Sequence, residues 1–223
     1  MKKYLILAIV IVVLAGGIGG WQYWEYRQED KLLSSNPQTK DAYQVIKQRQ
    51  EQIKKDENNY DAYMSLGFYW KGIGEVTKNN DYLERSVDAY DKVIKRWGTK
   101  AYLPFLNRAN VFILLGQYGK AETDLKIASE IDPGEQSLYI ALADLYKDYM
   151  KKNDAEIRAV YETGMQRVVG GGNLVLNYAS YLNGIGDYKE ALKYYKMLSQ
   201  AYPSNTGYLD LVKELEGKIG EIK

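Results

Sequence analysis

Apolar residues recur along most of this chain at intervals of three and four, separated by lysine, glutamate and aspartate. Phe105, Ala109 and Phe112 form one such set, and Ala121, Leu125 and Ala128 the next. Tyr139, Leu142, Ala143 and Tyr146 follow, then Ile157, Tyr161 and Gly164, then Val175, Ala179 and Leu182, then Ala191, Tyr195 and Leu198. Upstream, Tyr63, Leu66, Gly67 and Trp70 make one set and Ser86, Tyr90, Val93 and Ile94 another. That spacing places each set on one face of a helix, so the pattern predicts an all-α chain of short amphipathic helices.

The helices come in pairs, and two pairs match position for position. Gly116 and Tyr118 precede Ala121, and Gly186 and Tyr188 precede Ala191. Pro133 and Pro203 each lie twelve residues past their alanine. Glycine accepts the left-handed conformation that ends a helix, and small alanines let two helices approach. Proline stops the second helix because it lacks an N–H and clashes with the preceding turn. The two alanines are 70 residues apart, about two periods of 34 plus two residues, so one more unit is expected between them.

These landmarks resemble the tetratricopeptide repeat (TPR), a helix-turn-helix unit that stacks into a right-handed superhelix, an α-solenoid. Residues 102–135 and 172–205 match it closely, with Arg108 standing where an apolar residue is usual. Residues 136–171 match after a two-residue insertion near Lys151 to Asp154. Residues 60–101 match with the second helix seven residues late, which either lengthens a helix or loops out around Gly72 to Asn80. Residues 41–59, with Tyr43, Val45, Ile46 and Ile53, are expected to form a helix packing on the first unit. Residues 206–223, with Tyr208, Leu211, Val212, Leu215 and Ile219, are expected to cap the last one.

Ahead of the array, residues 1–3 carry two lysines, and an uncharged run from Tyr4 to Gly20 is followed by Trp21, Tyr23 and Trp24. As a helix the run would rise about 26 Å, enough to cross a thin hydrocarbon core. Aromatic residues favour the membrane interface, and leading lysines favour a cytoplasmic N-terminus. The expectation is a single transmembrane signal-anchor helix at 4–21, with the rest of the chain extracytoplasmic, outside a bacterial-type inner membrane. Small residues at Val13-Leu14-Ala15 and Ala15-Gly16-Gly17 sustain the competing reading, a cleaved signal peptide and a secreted product. With no cysteine, lipoprotein processing is excluded. Gly16 and Gly20 are spaced for helix pairing but sit at the very end of the run, so they are read as its glycine-rich end rather than as a pairing motif. Residues 22–40, with Ser34-Ser35-Asn36-Pro37, read as a juxtamembrane polar linker.

Composition narrows the function. Leaving aside Lys2 and Lys3, 28 basic residues face 29 acidic ones, without the basic excess that phosphate neutralisation demands, so no nucleic acid is expected. The absence of histidine and cysteine removes the common general base, the thiolate nucleophile and most zinc chemistry. No catalytic constellation, metal site or cofactor is predicted. Gly170-Gly171-Gly172 lacks the Gly-Lys-Ser/Thr of a phosphate loop and reads as a turn between units. The 22 tyrosines sit largely at packing positions.

What the resemblance implies is a partner-binding groove lined by first helices. Carried onto this chain, its positions are Met64 and Phe68; Leu106, Asn107, Asn110 and Ile113; Ile140, Asp144 and Lys147; Leu176, Asn177, Ser180 and Asn183. Apolar Met64, Leu106, Ile140 and Leu176 replace the lysine-type positions of arrays that clamp a C-terminal carboxylate. An aliphatic strip edged by asparagines remains, suited to burying a partner's side chains and bonding its backbone. The function expected is an adaptor or scaffold that holds a partner peptide or helix, in envelope assembly or translocation. The alternatives are a self-assembling, homo-oligomeric solenoid and, further off, a carbohydrate-active helical-repeat enzyme.

Overall fold

The computed structural model describes residues 24–98 and 101–221, and every regular element among them is helical. Helix α1 covers residues 24–35. It is followed by α2 (Lys40–Lys55), α3 (Tyr60–Thr77), α4 (Asn80–Trp97), α5 (Leu103–Leu114) and α6 (Tyr118–Ile131). Then come α7 (Gln136–Asp144), a π-helical turn over Leu145–Met150, α8 (Asp154–Arg167), α9 (Gly172–Gly184), α10 (Tyr188–Ala201) and α11 (Thr206–Glu221). The apolar run at 4–21 lies outside the described residues, and among those described no helix is long and apolar enough to cross a membrane. Two compact units divide within α4, one reaching Ala89 and the other beginning at Tyr90.

The first unit is built around Leu33, Tyr43, Ile46, Leu66, Trp70, Ile73, Tyr82 and Ala89. Trp70 stacks on Tyr82 with ring centroids 5.5 Å apart, and Tyr43 tilts against Trp70 at 6.2 Å. Helix α2 packs along α3. The Ser86 hydroxyl donates to the Gly67 carbonyl at 2.6 Å, joining α4 to α3. The seven extra residues of this pair do not loop out. They lengthen both helices to 18 residues each, leaving a two-residue turn at Lys78 and Asn79.

Residues 24–40 depart from the linker expected there. Residues 24–35 are helical, and Leu33 and Thr39 are buried. The Thr39 hydroxyl donates to the Leu33 carbonyl at 2.9 Å. Glu29 pairs with Arg85 of α4 at 2.8 Å and Asp30 with Lys47 of α2 at 3.1 Å. The Asn36-Pro37 punctuation marks only the turn after α1.

In the second unit, α5 packs with α6, α7 with α8, α9 with α10, and α10 with α11. The two matching pairs close in the same way. Gly116 and Gly186 adopt φ of 71° and 84°, the N–H of Gln117 donates to the Phe112 carbonyl at 2.8 Å, and that of Asp187 to the Leu182 carbonyl at 2.9 Å. This is the left-handed helix ending that glycine permits at least cost. Where glycine is missing, lysine takes the same conformation. Lys78 sits at φ 57° and Lys151 at φ 52°, and the N–H of Lys152 reaches the Tyr146 carbonyl at 3.0 Å. Asn153 and Glu156 form a reciprocal capping box that starts α8. The insertion near Lys151 is thus absorbed by the π turn and this short capped loop.

Candidate functional site

The predicted groove residues fall in both units. Met64 and Phe68 lie on α3 of the first unit, Met64 half-buried and Phe68 exposed with its ring edge-on to Tyr69 at 5.4 Å. The others lie on α5, on α7 and its π turn, and on α9. None is fully buried; Phe68 and Ser180 are exposed and the others are half-buried. Helices α7 and α9 are in direct contact, which brings Ile140 and Asp144 beside the helix that bears Leu176, Asn177, Ser180 and Asn183. Leu106 is partly withdrawn, packed against the Phe105–Ala128–Leu138 core.

Their polar groups are not equivalent. The Asn177 amide donates to the Asn173 carbonyl of its own helix at 2.9 Å. The Ser180 hydroxyl shares a 3.2 Å hydrogen bond with the Tyr195 phenol. Asp144 is ion-paired with Lys147 at 3.1 Å. Asn107, Asn110 and Asn183 are half-buried, and their amides bond to nothing else among the described residues.

Spacing alone did not disclose the charged ties behind this face. Arg108 reaches both oxygens of Asp124 on α6, Nε to Oδ2 and Nη2 to Oδ1, each at 2.7 Å, and also bonds to Asp91. Asp124 is buried, its side chain 3% exposed against 17% for Arg108. Burial works against the Arg108 charge, but the bonds to Asp124 and Asp91 more than offset it and raise its pKa. An arginine at this normally apolar position is therefore matched by a carboxylate. One pair later, Arg158 bonds to Asp154 at 2.7 Å and to Asp187 at 2.8 Å, while the Tyr181 phenol donates to Asp154 at 2.7 Å. Burial and the Asp154 bond push the Tyr181 phenol up to about 12.

Two clefts in the second unit lie away from the predicted residues. One of about 290 Å³ is apolar, walled by Met165, Val168, Leu174, Val175, Met197 and Tyr202 and floored by Gly170–Gly172. The other, about 490 Å³, runs between α6 and α8 over Tyr139, Leu142 and Tyr146, with Arg167 and Glu130 paired at 2.7 Å among its lining residues. Among the described residues, no group of three or more acidic side chains is placed to hold a metal ion.

No model of a known protein family matches the chain, and no curated protein does. Solved structures do match. A crystal structure of MamA protein is 18% identical, covering 75% of this chain and 86% of that one, with a TM-score of 0.56. The thermophilic TPR protein TTC0263 of Thermus thermophilus is 14% identical over 78% and 88%, with a TM-score of 0.52. YrrB, described as a TPR protein with an unusual peptide-binding site, is 13% identical over 77% and 84%, with a TM-score of 0.50. Likeness at these identities shows the fold, and the fold is an all-helical, TPR-like solenoid.

Proposed function

We propose that this chain is a membrane-anchored scaffold that holds a peptide or helix of a protein partner on the exposed side of its first helices. The observation that carries this reading is the set Asn107, Asn110 and Asn183. These amides stand half-buried beside Leu106, Ile113 and Leu176 with their bonding capacity unspent. An amide both donates and accepts, which suits it to a partner's main chain, while the aliphatic neighbours take up side chains. Asn177, Ser180 and Asp144 contribute less, because part of their capacity is used internally. The peptide-binding site named for YrrB, a structure of the same fold, adds support by analogy. The lack of histidine and cysteine favours binding over catalysis. The apolar run at 4–21 is read as the anchor, with the helical units on the extracytoplasmic side.

In-cell crosslinking from a photoreactive residue at Asn110, with mass spectrometry of the adducts, tests the proposal. One dominant protein partner, lost on Asn107→Ala with Leu106→Asp, is the expected result. Adducts only to this same chain would replace it with self-assembly. No adduct at Asn110 or Asn183 would remove this face from consideration.

A further inference from the structure

We propose that α1 lies on the membrane surface and holds the first unit against the bilayer as a rigid strut. This inference rests on the anchor reading of residues 4–21 and goes beyond it, because a flexible stand-off and a surface-bound helix are different devices.

Helix α1 segregates its residues into two sides. At about 100° per residue, Glu29, Leu33, Tyr26 and Asp30 fall on one side. Trp24, Glu25, Arg27, Gln28, Lys31, Leu32, Ser34 and Ser35 fall on the other. Apart from Tyr26, which is 54% exposed, the first side is spent on the protein. Leu33 is buried, and both acids are paired, Glu29 with Arg85 at 2.8 Å and Asp30 with Lys47 at 3.1 Å. The Thr39 hydroxyl fastens the following turn to the Leu33 carbonyl. The helix is therefore held by α2 and α4 rather than swinging on a tether.

The second side is exposed at every residue. Trp24 and Leu32 are each 59% exposed. Lys31 lies beside Trp24, and Glu25, the one acid there, lies beside Leu32. An aromatic ring, an aliphatic side chain and the Lys31 ammonium on one helical face are the ingredients of an interfacial helix, whose apolar groups enter the headgroup boundary while its cation meets lipid phosphates.

Chain length makes lipid the occupant of this face. The uncharged run ends at Gly20, and the four residues from there to Trp24 span at most about 14 Å. If the run crosses the bilayer, α1 begins at the headgroups whatever the conformation between. Leu32 lies about 12 Å further along the helix axis. A helix standing upright would carry it into water, whereas a helix lying flat places Trp24 and Leu32 at one depth.

The chain has no cysteine, so single-cysteine variants of the full protein need no background change. A polarity-sensitive fluorophore is attached at Leu32→Cys or Ser35→Cys on the outer side of α1, at the exposed position Gln48→Cys on α2, and at Val12→Cys within the apolar run. Each protein is reconstituted into vesicles of phosphatidylethanolamine and phosphatidylglycerol, with nitroxide lipids carrying the quencher near the headgroup or deep in the acyl chain. The strut predicts quenching at Val12 by the deep nitroxide, blue-shifted emission and quenching at Leu32 and Ser35 by the shallow one, and none at Gln48. Lys31→Glu should weaken the shallow quenching at Ser35. Quenching at Val12 without quenching at Leu32 and Ser35 would overturn the strut and keep the anchor. Labels at Leu32 and Ser35 that are screened from aqueous dithionite but untouched by nitroxide lipid would mean that protein covers this face, which also overturns it. An unquenched label at Val12 would remove the anchor and the strut with it.

Discussion

Replacing Arg108 by leucine restores the apolar residue that the repeat pattern favours, yet it should destabilise the second unit. Asp124 accepts two 2.7 Å hydrogen bonds from the guanidinium, and its side chain is 3% exposed. Arg108→Leu leaves that carboxylate buried without its cation. Breaking a buried pair by removing one partner costs about 3–5 kcal/mol, a large share of the roughly 5–15 kcal/mol that holds a domain folded. Asp124→Leu alone should cost less, because Arg108 keeps Asp91 and is itself 17% exposed. The double variant Arg108→Leu, Asp124→Leu should return to within about 1 kcal/mol of the parent, since exchanging a whole buried pair for packed apolar groups is often neutral or better. Asp91→Ala, at a side chain 51% exposed, should cost at most about 1 kcal/mol.

The assay is a double-mutant cycle by urea denaturation of the full chain in mild detergent, followed by circular dichroism. Repeat arrays can unfold piecewise, so hydrogen exchange across α5 and α6 should accompany it and report the loss there. An Arg108→Leu variant within about 1 kcal/mol of the parent would refute the reasoning. So would a double variant as unstable as the two singles combined, because the pair would then contribute through packing of each side chain and not through mutual neutralisation.

Two further outcomes follow from backbone and phenol burial. A Cβ on Gly164 would sit 2.6 Å from Cγ of buried Tyr139 and 2.8 Å from Cδ2 of Leu174. Gly164→Ala should therefore lose about 1–3 kcal/mol despite its better helix propensity, whereas Gly72→Ala, with nothing within 4 Å, should gain about 0.4–1 kcal/mol; equal thermal shifts in both would count against the packing. Burial drives up the phenols of Tyr43, Tyr90, Tyr161 and Tyr178, and Tyr181 rises to about 12. A raised folded pKa stabilises fully below the unfolded value near 10 and is lost as pH rises through the folded one. Denaturation midpoints should fall from about pH 10 upward, with these phenols ionising only on unfolding, as read by ultraviolet absorbance; their ionisation near 10 in a chain that keeps its helix signal would contradict this.

The pairs α5–α6 and α9–α10 were legible because Gly116, Gly186, Pro133 and Pro203 punctuate them, and backbone chemistry confines those residues to helix ends. The ends formed by Lys78 and Lys151 were not, because lysine reaches the left-handed region only when surrounding contacts hold it there. Helix α1 was hidden for a different reason. It buries one apolar side chain, Leu33, and relies on two ion pairs, so its sequence carries no repeated buried apolar position to detect. The seven-residue excess of the first pair gave no sign of its fate, since α3 and α4 lengthen together and keep their pairing. At the candidate face, spacing located positions outside the full core but not their bonding state. Whether Asn177 turns to its own helix while Asn110 does not is a matter of rotamer and neighbours, which one sequence does not encode legibly.

The abundance of tyrosine gains a meaning beyond packing once the ties are traced. Tyr146 donates to Glu122 at 2.7 Å, Tyr181 to Asp154 at 2.7 Å, Tyr178 to Glu162 at 3.3 Å, and Tyr139 to the Pro133 carbonyl at 3.0 Å. Three of these four bonds run from a first helix, or the π turn that extends it, to a neighbouring second helix. The rings behind them are in contact: Tyr161 stacks on Tyr178 at 5.0 Å, and Tyr178 tilts on Tyr194 at 5.0 Å. A leucine in the same place would fill the space but would let a helix slide by a turn for little loss. A phenol that must reach one particular oxygen fixes the register as well, because a buried hydroxyl without its partner costs about 1–3 kcal/mol. In a solenoid, where each unit touches only its neighbours, register is set locally at every interface or not at all. Tyrosine supplies bulk and register from one side chain, which accounts for its recurrence at the successive interfaces of the second unit.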